Sequence, residues 1–85
     1  MSQNKNKDIK ITYFINEQES SVSFLPSNPL SVLKNIISMS LNINFDHFDV
    51  IYGKKIITKD KDSLPLYKIV GHDKVPVFFI HKKSN

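Results

Sequence analysis

Cysteine, arginine and tryptophan are all absent from this chain of 85 residues. Without cysteine there can be no disulfides and no thiolate metal sites, and a reducing compartment is permitted without being required. Because arginine is absent, all 12 basic side chains are lysines. Nucleic-acid surfaces usually use the planar guanidinium group for phosphate and base contacts, whereas lysine alone gives unspecific attraction. The net charge of +4 is therefore weak evidence for a nucleic-acid ligand.

Long apolar runs are also absent. No stretch approaches the length that crosses a bilayer, and the opening MSQNKNKD lacks the apolar core of a secretory signal. We therefore expect a soluble, intracellular protein, cytoplasmic or nuclear. A chain this short forms one domain with a single modest core and leaves little room for an enclosed active site. These features favour a non-catalytic binding module, monomeric in isolation, over an enzyme.

The N-terminal third predicts a disordered segment followed by a β-hairpin. Residues 1–8 are polar and lack periodicity, which is typical of disorder. From Ile9, the stretch IKITYFI alternates as a half-buried strand does, and SSVSFL alternates again with Val22 and Phe24 on one face. The intervening NEQE supplies turn residues.

A sharp corner and a helix follow the hairpin. Pro26 ends the second strand because proline cannot donate to a sheet ladder, and Pro29 suits the first helical position. Asn28 is then the expected N-cap. Apolar residues recur at helical spacing as far as Leu41, and Asn42 is expected to end the helix in the left-handed conformation.

The C-terminal half predicts three further strands. FDVIYGKKII indicates a strand that turns at Gly53 into a short second strand, since glycine readily adopts positive φ. A loop-rich segment follows in DKDSLPLYKIVGHDK, with one turn that apolar side chains hold in place. A last strand is indicated by VPVFFIHKK. The expected domain spans residues 9–81, and residues 82–85 are expected to form a disordered tail.

This order of elements is the connectivity of a β-grasp fold, and three stretches make the resemblance specific. LPSNPLSVLKNII, FDVIYGKKI and DSLPLYKIVGHDKVPVFFI resemble, in order and spacing, the helix corner, the third strand with its glycine turn, and the final loop and strand of ubiquitin. Aligned by eye, residues 26–53 and 63–80 match without a gap. The resemblance implies an α+β fold, a ubiquitin-like β-grasp with a mixed sheet of four or five strands packed on one α-helix. It places in the core Leu30, Leu33, Ile37, Ile43, Val50, Leu64, Ile69, Val75 and Val77.

The resemblance also implies an apolar recognition patch on the outer face of the sheet. With Val50 inward, Ile51 should point outward, and alternation in the last strand leaves Pro76 and Phe78 outward. An exposed apolar cluster with a polar rim usually marks a partner site, although a tail or a neighbouring domain could also cover it. We expect a protein partner, either a ubiquitin-pathway receptor or an assembly partner of a larger parent protein. The expected partner-binding residues are Ile51, Pro76 and Phe78, with a rim of Lys54, Lys55 and His81.

Three positions depart from the ubiquitin pattern. Asn16 stands where the first hairpin loop of ubiquitin carries an apolar residue of the patch, and Pro76 stands in place of a histidine. The ending FIHKKSN lacks the glycine pair that activation and conjugation need. We therefore expect an interaction module that is not a conjugated modifier.

Two alternative functions remain. Weak nucleic-acid binding could use Lys54, Lys55, Lys82 and Lys83, with Phe78 as the obvious aromatic group for stacking. A Ras-binding type of β-grasp would pair through the edge strand SSVSFL, but this strand has no basic residue to meet an acidic partner strand.

Signals for chemistry are weak. His47, His72 and His81 are scattered without metal-ligand spacing. Asp60 and Asp62 lack the central glycine and terminal glutamate of a calcium loop. No serine has a histidine in a recognisable nucleophile arrangement. We therefore expect no catalytic residue, no cofactor, no metal and no membrane contact.

Overall fold

Five strands and two α-helices make up the part of the chain that the structure, a computed structural model, describes, namely residues 7–83 without the side chain of Phe45. The strands are β1 (Ile9–Ile15), β2 (Gln18–Phe24), β3 (Phe48–Tyr52), β4 (Lys55–Ile56) and β5 (Val77–Lys82). The helices are α1 (Leu30–Leu41) and α2 (Tyr67–Val70), and short 3₁₀ helices cover Phe45–His47 and Lys59–Lys61.

The strands form one mixed sheet in the order β2-β1-β5-β3-β4. The central pair, β1 and β5, is parallel, and the other neighbours are antiparallel. Helix α1 covers one face of this sheet with its apolar stripe. The predicted α+β architecture, a β-grasp with one main helix on a mixed sheet, is confirmed.

The predicted hairpin of β1 and β2 is regular along its whole length. Its register is unbroken from Ile9 opposite Phe24 to Ile15 opposite Gln18, and Asn16 in the turn has φ 58°. Asparagine tolerates this left-handed conformation better than most residues, so the turn chemistry read from NEQE fits the observed turn.

The proline corner leads into α1, but the helix begins one residue later than predicted. Pro29, not Asn28, occupies the N-cap position, with extended φ and ψ of −69° and 157°. A proline has no side-chain acceptor for the free N–H groups of the first turn. Backbone carbonyls of a distant loop accept them instead: Leu30 N–H donates to Leu64 (2.9 Å) and Ser31 N–H donates to Asp62 (2.9 Å). The corner is therefore fixed by tertiary contacts.

Both predicted backbone reversals are confirmed. Asn42 ends α1 in the left-handed region, with φ 56° and ψ 43°. The carbonyl of Ser38 then accepts two N–H groups, that of Asn42 and that of Ile43, the latter at 3.1 Å. Between β3 and β4, Gly53 and Lys54 both have positive φ, 61° and 68°. This combination is the one that a two-residue type I′ hairpin requires.

The core lies between α1 and the inner face of the sheet. Of the residues predicted to be buried, Leu30, Leu33, Ile37 and Val50 are buried and Ile43 and Ile69 are half-buried against the core. Leu64 is half-buried. The structure adds other large members to the core: Ile11, Tyr13, Phe24, Phe48, Leu66, Phe78 and Ile80.

The prediction was wrong for β5, whose register differs by one residue. Val75 is 66% exposed and Val77 is also exposed, whereas Phe78 is fully buried. Because side chains alternate along a strand, a shift of one residue exchanges every inward side chain for its neighbour. VPVFFI is apolar at every position, so alternation could not select the register.

The chain ends also correct the predicted boundaries. Lys82 is not in a disordered tail, because it belongs to β5 and pairs with Phe48, and Lys83 N–H donates to the carbonyl of His47 at 2.8 Å. Residues 7 and 8, also predicted to be disordered, are exposed and precede β1, and the predicted disordered positions 1–6 and 84–85 lie outside the described residues. Within residues 7–83, neither helix is long and apolar enough to cross a membrane.

Candidate partner-binding face

One row of cross-strand partners runs across the whole outer face of the sheet. Glu19 of β2 pairs with Phe14 of β1, Phe14 with Phe79 of β5, Phe79 with Ile51 of β3, and Ile51 with Ile56 of β4. Direct cross-strand partners lie on the same face of a sheet. We call the four apolar members of this series, Phe14, Phe79, Ile51 and Ile56, the apolar row.

Two aromatic rings form the centre of the apolar row. The ring centroids of Phe14 and Phe79 are 5.4 Å apart with an interplanar angle of 19°, a stacked arrangement. Phe79 is nevertheless 52% exposed and Phe14 is half-buried. The stack thus holds both rings in place while leaving apolar surface in contact with water.

Aliphatic side chains extend this surface on either side of the stack. Ile51 is half-buried, and Ile56 at the β4 edge is exposed. Val77 is also exposed, and it lies two residues before Phe79 on the same face of β5. The outer face therefore carries a contiguous apolar surface opposite the helix.

Two of the predicted patch residues lie in the core and not on this face. Pro76 and Phe78 are both fully buried, and the Phe78 ring is 5.1 Å from that of Tyr52. The correction follows from the shift in β5, which places Phe79 and Val77 where Phe78 and Pro76 were expected. Ile51 alone among the predicted apolar patch residues lies on the outer face.

The predicted polar rim is only partly brought together. Lys54 lies exposed at the tip of the β3–β4 turn, and His81 lies exposed opposite Asp49 on the outer face. Lys55 instead pairs with Tyr52, whose ring contacts buried Phe78, so Lys55 is on the helix side of the sheet. The rim of the outer face therefore includes Lys54 and His81 but not Lys55.

Sequence reasoning missed Phe14, Phe79 and Ile56. Phe14 could have been found, because it falls out of phase with the inward positions Ile11 and Tyr13 in the alternating β1. Phe79 follows Phe78 directly, and the pattern gave no reason to choose between the two rings.

A hydrogen-bonded pair next to β5 explains how its register is held. Tyr52 Oη donates to Asp73 Oδ2 at 2.7 Å, while the other carboxylate oxygen accepts the N–H of Val75 at 3.1 Å. Burial, reinforced by the hydrogen bond to Asp73 and its charge, raises the pKa of Tyr52 to about 12. These contacts tie the end of β3 to the segment that enters β5.

The lysines of the nucleic-acid alternative do not form one surface. Lys55 pairs with Tyr52 at the end of β3, whereas Lys82 pairs with Phe48 at its start. Phe48 and Tyr52 are four residue steps, about 13 Å, apart along β3, and Lys55 and Lys82 lie on the strands to either side of β3, so the two lysines are farther apart still. Lys83 is also engaged, because its Nζ lies 3.4 Å from Asp49 Oδ1. Phe78, the expected stacking group, is buried.

Asp62, which the sequence analysis considered as a calcium ligand, is paired with a lysine. Asp62 Oδ1 accepts a charged hydrogen bond from Lys34 Nζ at 2.6 Å. Over residues 7–83, the histidines and carboxylates form no group able to hold a metal ion.

Comparison with known proteins finds similarity to solved structures and no match to a family model or a curated protein. No family model matches the chain, and no curated protein does. Among solved structures, the chain is similar to the ubiquitin-like domain of an Arabidopsis thaliana protein, at 18% identity and TM-score 0.76 over 99% of this chain and 86% of that one. It is similar to Caldiarchaeum subterraneum ubiquitin, at 11% identity and TM-score 0.76 over 92% and 96%. It is also similar to the UBL domain of Plasmodium falciparum Dsk2, at 18% identity and TM-score 0.73 over 89% and 99%.

Proposed function

We propose that this chain, which has the fold of ubiquitin-like domains, is a non-catalytic interaction module that binds a protein partner through the apolar row. One observation supports the proposal above all others: Phe79 is 52% exposed at the centre of the apolar row, between Phe14 on one side and Ile51 and Ile56 on the other. Large contiguous apolar surfaces with a polar rim mark interaction sites in soluble proteins.

The chemistry of this face favours a protein over a small molecule. The apolar row crosses four strands, so its members lie about 5 Å apart on a broad surface and not in a cleft. Aromatic and aliphatic side chains of this kind act as anchors when a partner excludes water from them. Glu19 at one end and Lys54 and His81 nearby supply charges of both signs, which would orient a partner more than hold it.

We also infer that the module works within a larger protein inside the cell. The chain is similar to the UBL domain of Dsk2, which is one domain of a larger protein, and this similarity supports a place within a larger protein.

A conjugated modifier is the less supported function, because the two glycines of the 85 residues, Gly53 and Gly71, are not adjacent and both have positive φ in turns. Incubation of the chain with a ubiquitin-activating cascade should therefore yield no thioester.

Isothermal titration with a partner purified by affinity capture tests the proposed face. F79A and I51A should each weaken binding by more than about 1 kcal/mol, because they remove anchors at the centre of the contact. N35A is the matched control, since Asn35 is exposed on α1, away from the outer face. Equal affinities for the parent, F79A and N35A would contradict the proposal.

A further inference from the structure

A cavity of about 360 Å³ lies beside the first half of β3, at the point where β4 has ended. Ile57 N–H donates to the carbonyl of Val50 at 2.9 Å, and the chain then turns into the 3₁₀ helix Lys59–Lys61. The cavity lies between this departing segment, residues 56–59, and the start of β3. Its volume falls within the range of pockets that bind small molecules.

The inner part of the cavity is apolar. Phe48 and Ile57 line it and are only 3% and 9% exposed, because both side chains belong to the core. The exposed side chain of Ile56 also lines it, on the solvent side. Surfaces of this kind favour a ligand that removes them from water. The cavity therefore suits a ligand with an apolar body.

Two ion pairs also line the cavity. Lys59 Nζ lies 3.0 Å from Asp46 Oδ1, and Lys83 Nζ lies 3.4 Å from Asp49 Oδ1. The hydrogen bond from Lys59, reinforced by its charge, lowers the pKa of Asp46, so this carboxylate is charged at neutral pH. An ammonium group has three donors and a carboxylate accepts at about four sites, so each pair keeps capacity for a further charged group.

The charges that face the cavity are balanced. Its third lysine, Lys34, is already engaged, because its side chain is 10% exposed and its Nζ donates to Asp62 at 2.6 Å. The two ion pairs leave two ammonium groups and two carboxylates. A lone anion would be attracted by the first and repelled by the second, and a lone cation the reverse. A molecule that carries one charge of each sign meets a partner for both.

We propose that this cavity binds a free apolar α-amino acid. Its carboxylate contacts the two lysines of the ion pairs and its ammonium group the two aspartates, while an aromatic or branched side chain covers Phe48 and Ile57. Both charged groups of a free amino acid are attached to one carbon, whereas a residue within a peptide chain has neither charge. The site is separate from the apolar row except at Ile56, which borders both.

Titration of the isotope-labelled chain with L-phenylalanine, followed by NMR amide shifts, tests this proposal. Three further probes each lack one feature: hydrocinnamate lacks the ammonium group, phenethylamine lacks the carboxylate, and alanine lacks the large apolar side chain. L-Phenylalanine should shift the amides of Ile57, Thr58 and Lys59 and bind at least about threefold more tightly than each other probe. F79A should bind it like the parent, which separates this site from the apolar row.

Charge variants test whether the ion pairs select the ligand. D46N/D49N keeps the shape of both side chains and should make hydrocinnamate bind more tightly than L-phenylalanine. K59Q/K83Q should instead favour phenethylamine. E19Q is the control, because Glu19 is exposed on β2, and it should leave the order of the four probes unchanged. No amide shift with L-phenylalanine in the parent, equal binding of all four probes, or an unchanged order in both double variants would each overturn the proposal.

Discussion

Lys34 Nζ lies 2.6 Å from Asp62 Oδ1, and this contact joins α1 to the loop whose carbonyls bind the first N–H groups of the helix. The two side chains are only 10% and 25% exposed. Loss of either partner leaves a charge that is poorly solvated. The pair therefore stabilises the corner that fixes α1 on the sheet.

Substitution of Asp62 by alanine should lower the free energy of unfolding by about 1 to 3 kcal/mol, the range for hydrogen bonds to charged groups. Urea unfolding followed by circular dichroism measures this change. K59A is the control, because Lys59 pairs with Asp46 where both side chains are largely exposed, at 80% and 64%. Its effect should stay below about 1 kcal/mol. Equal losses in the two variants would show that the Lys34 contact has no special role.

Neighbouring phenylalanines of β5 should differ sharply in their contribution to stability. F78A removes a fully buried ring and should cost about 3 to 5 kcal/mol. F79A removes an exposed ring that stacks on Phe14, and should cost about 1 kcal/mol. Chemical denaturation of both variants measures the difference, and F78L replaces F78A if the latter does not fold. If F79A were the more damaging change, the register of β5 would be wrong.

These two rings also show how far the sequence could define the site. The order of the strands and the helix along the chain and the left-handed Asn42 were predictable, because each depends on local chemistry or a clear period, whereas the neighbours in the sheet followed from the resemblance to ubiquitin. Ile51 was predictable because Val50 and its neighbours alternate. The register of VPVFFI was not predictable, since every position is apolar and long-range contacts such as Thr12 N–H to Pro76 decide it. The predicted cluster therefore included Phe78 in place of Phe79.

Replacement of Asn42 by glycine should stabilise the domain by up to about 1 kcal/mol, because glycine adopts positive φ without a steric cost. The same substitution at Asn35, in the middle of α1, should instead destabilise by about 1 kcal/mol. Thermal unfolding of N42G and N35G measures both signs. A loss of stability in N42G would mean that the side chain of Asn42 contributes more than its backbone strain costs.

Stability should fall at high pH as Tyr52 ionises. Its pKa is raised from 10.0 to about 12, chiefly by burial and then by Asp73. As the pH rises, the unfolded chain therefore loses this proton before the folded chain does. The stabilisation of the folded state by protonated Tyr52 is complete below pH 10 and is lost between pH 10 and 12. Y52F should show a shallower decline of stability over this interval when unfolding is measured by circular dichroism. Identical pH profiles for parent and Y52F would contradict the assigned shift.

Photo-crosslinking from position 79 tests the proposed binding face most directly. Benzoylphenylalanine replaces Phe79, an aromatic ring by an aromatic ring, and a second chain carries the same group at exposed Asn35. The account predicts a partner adduct from position 79 that excess parent chain suppresses and that excess F79A/I51A double variant does not. An adduct that forms from position 35 and not from position 79, or one that the double variant suppresses as well as the parent does, would contradict it.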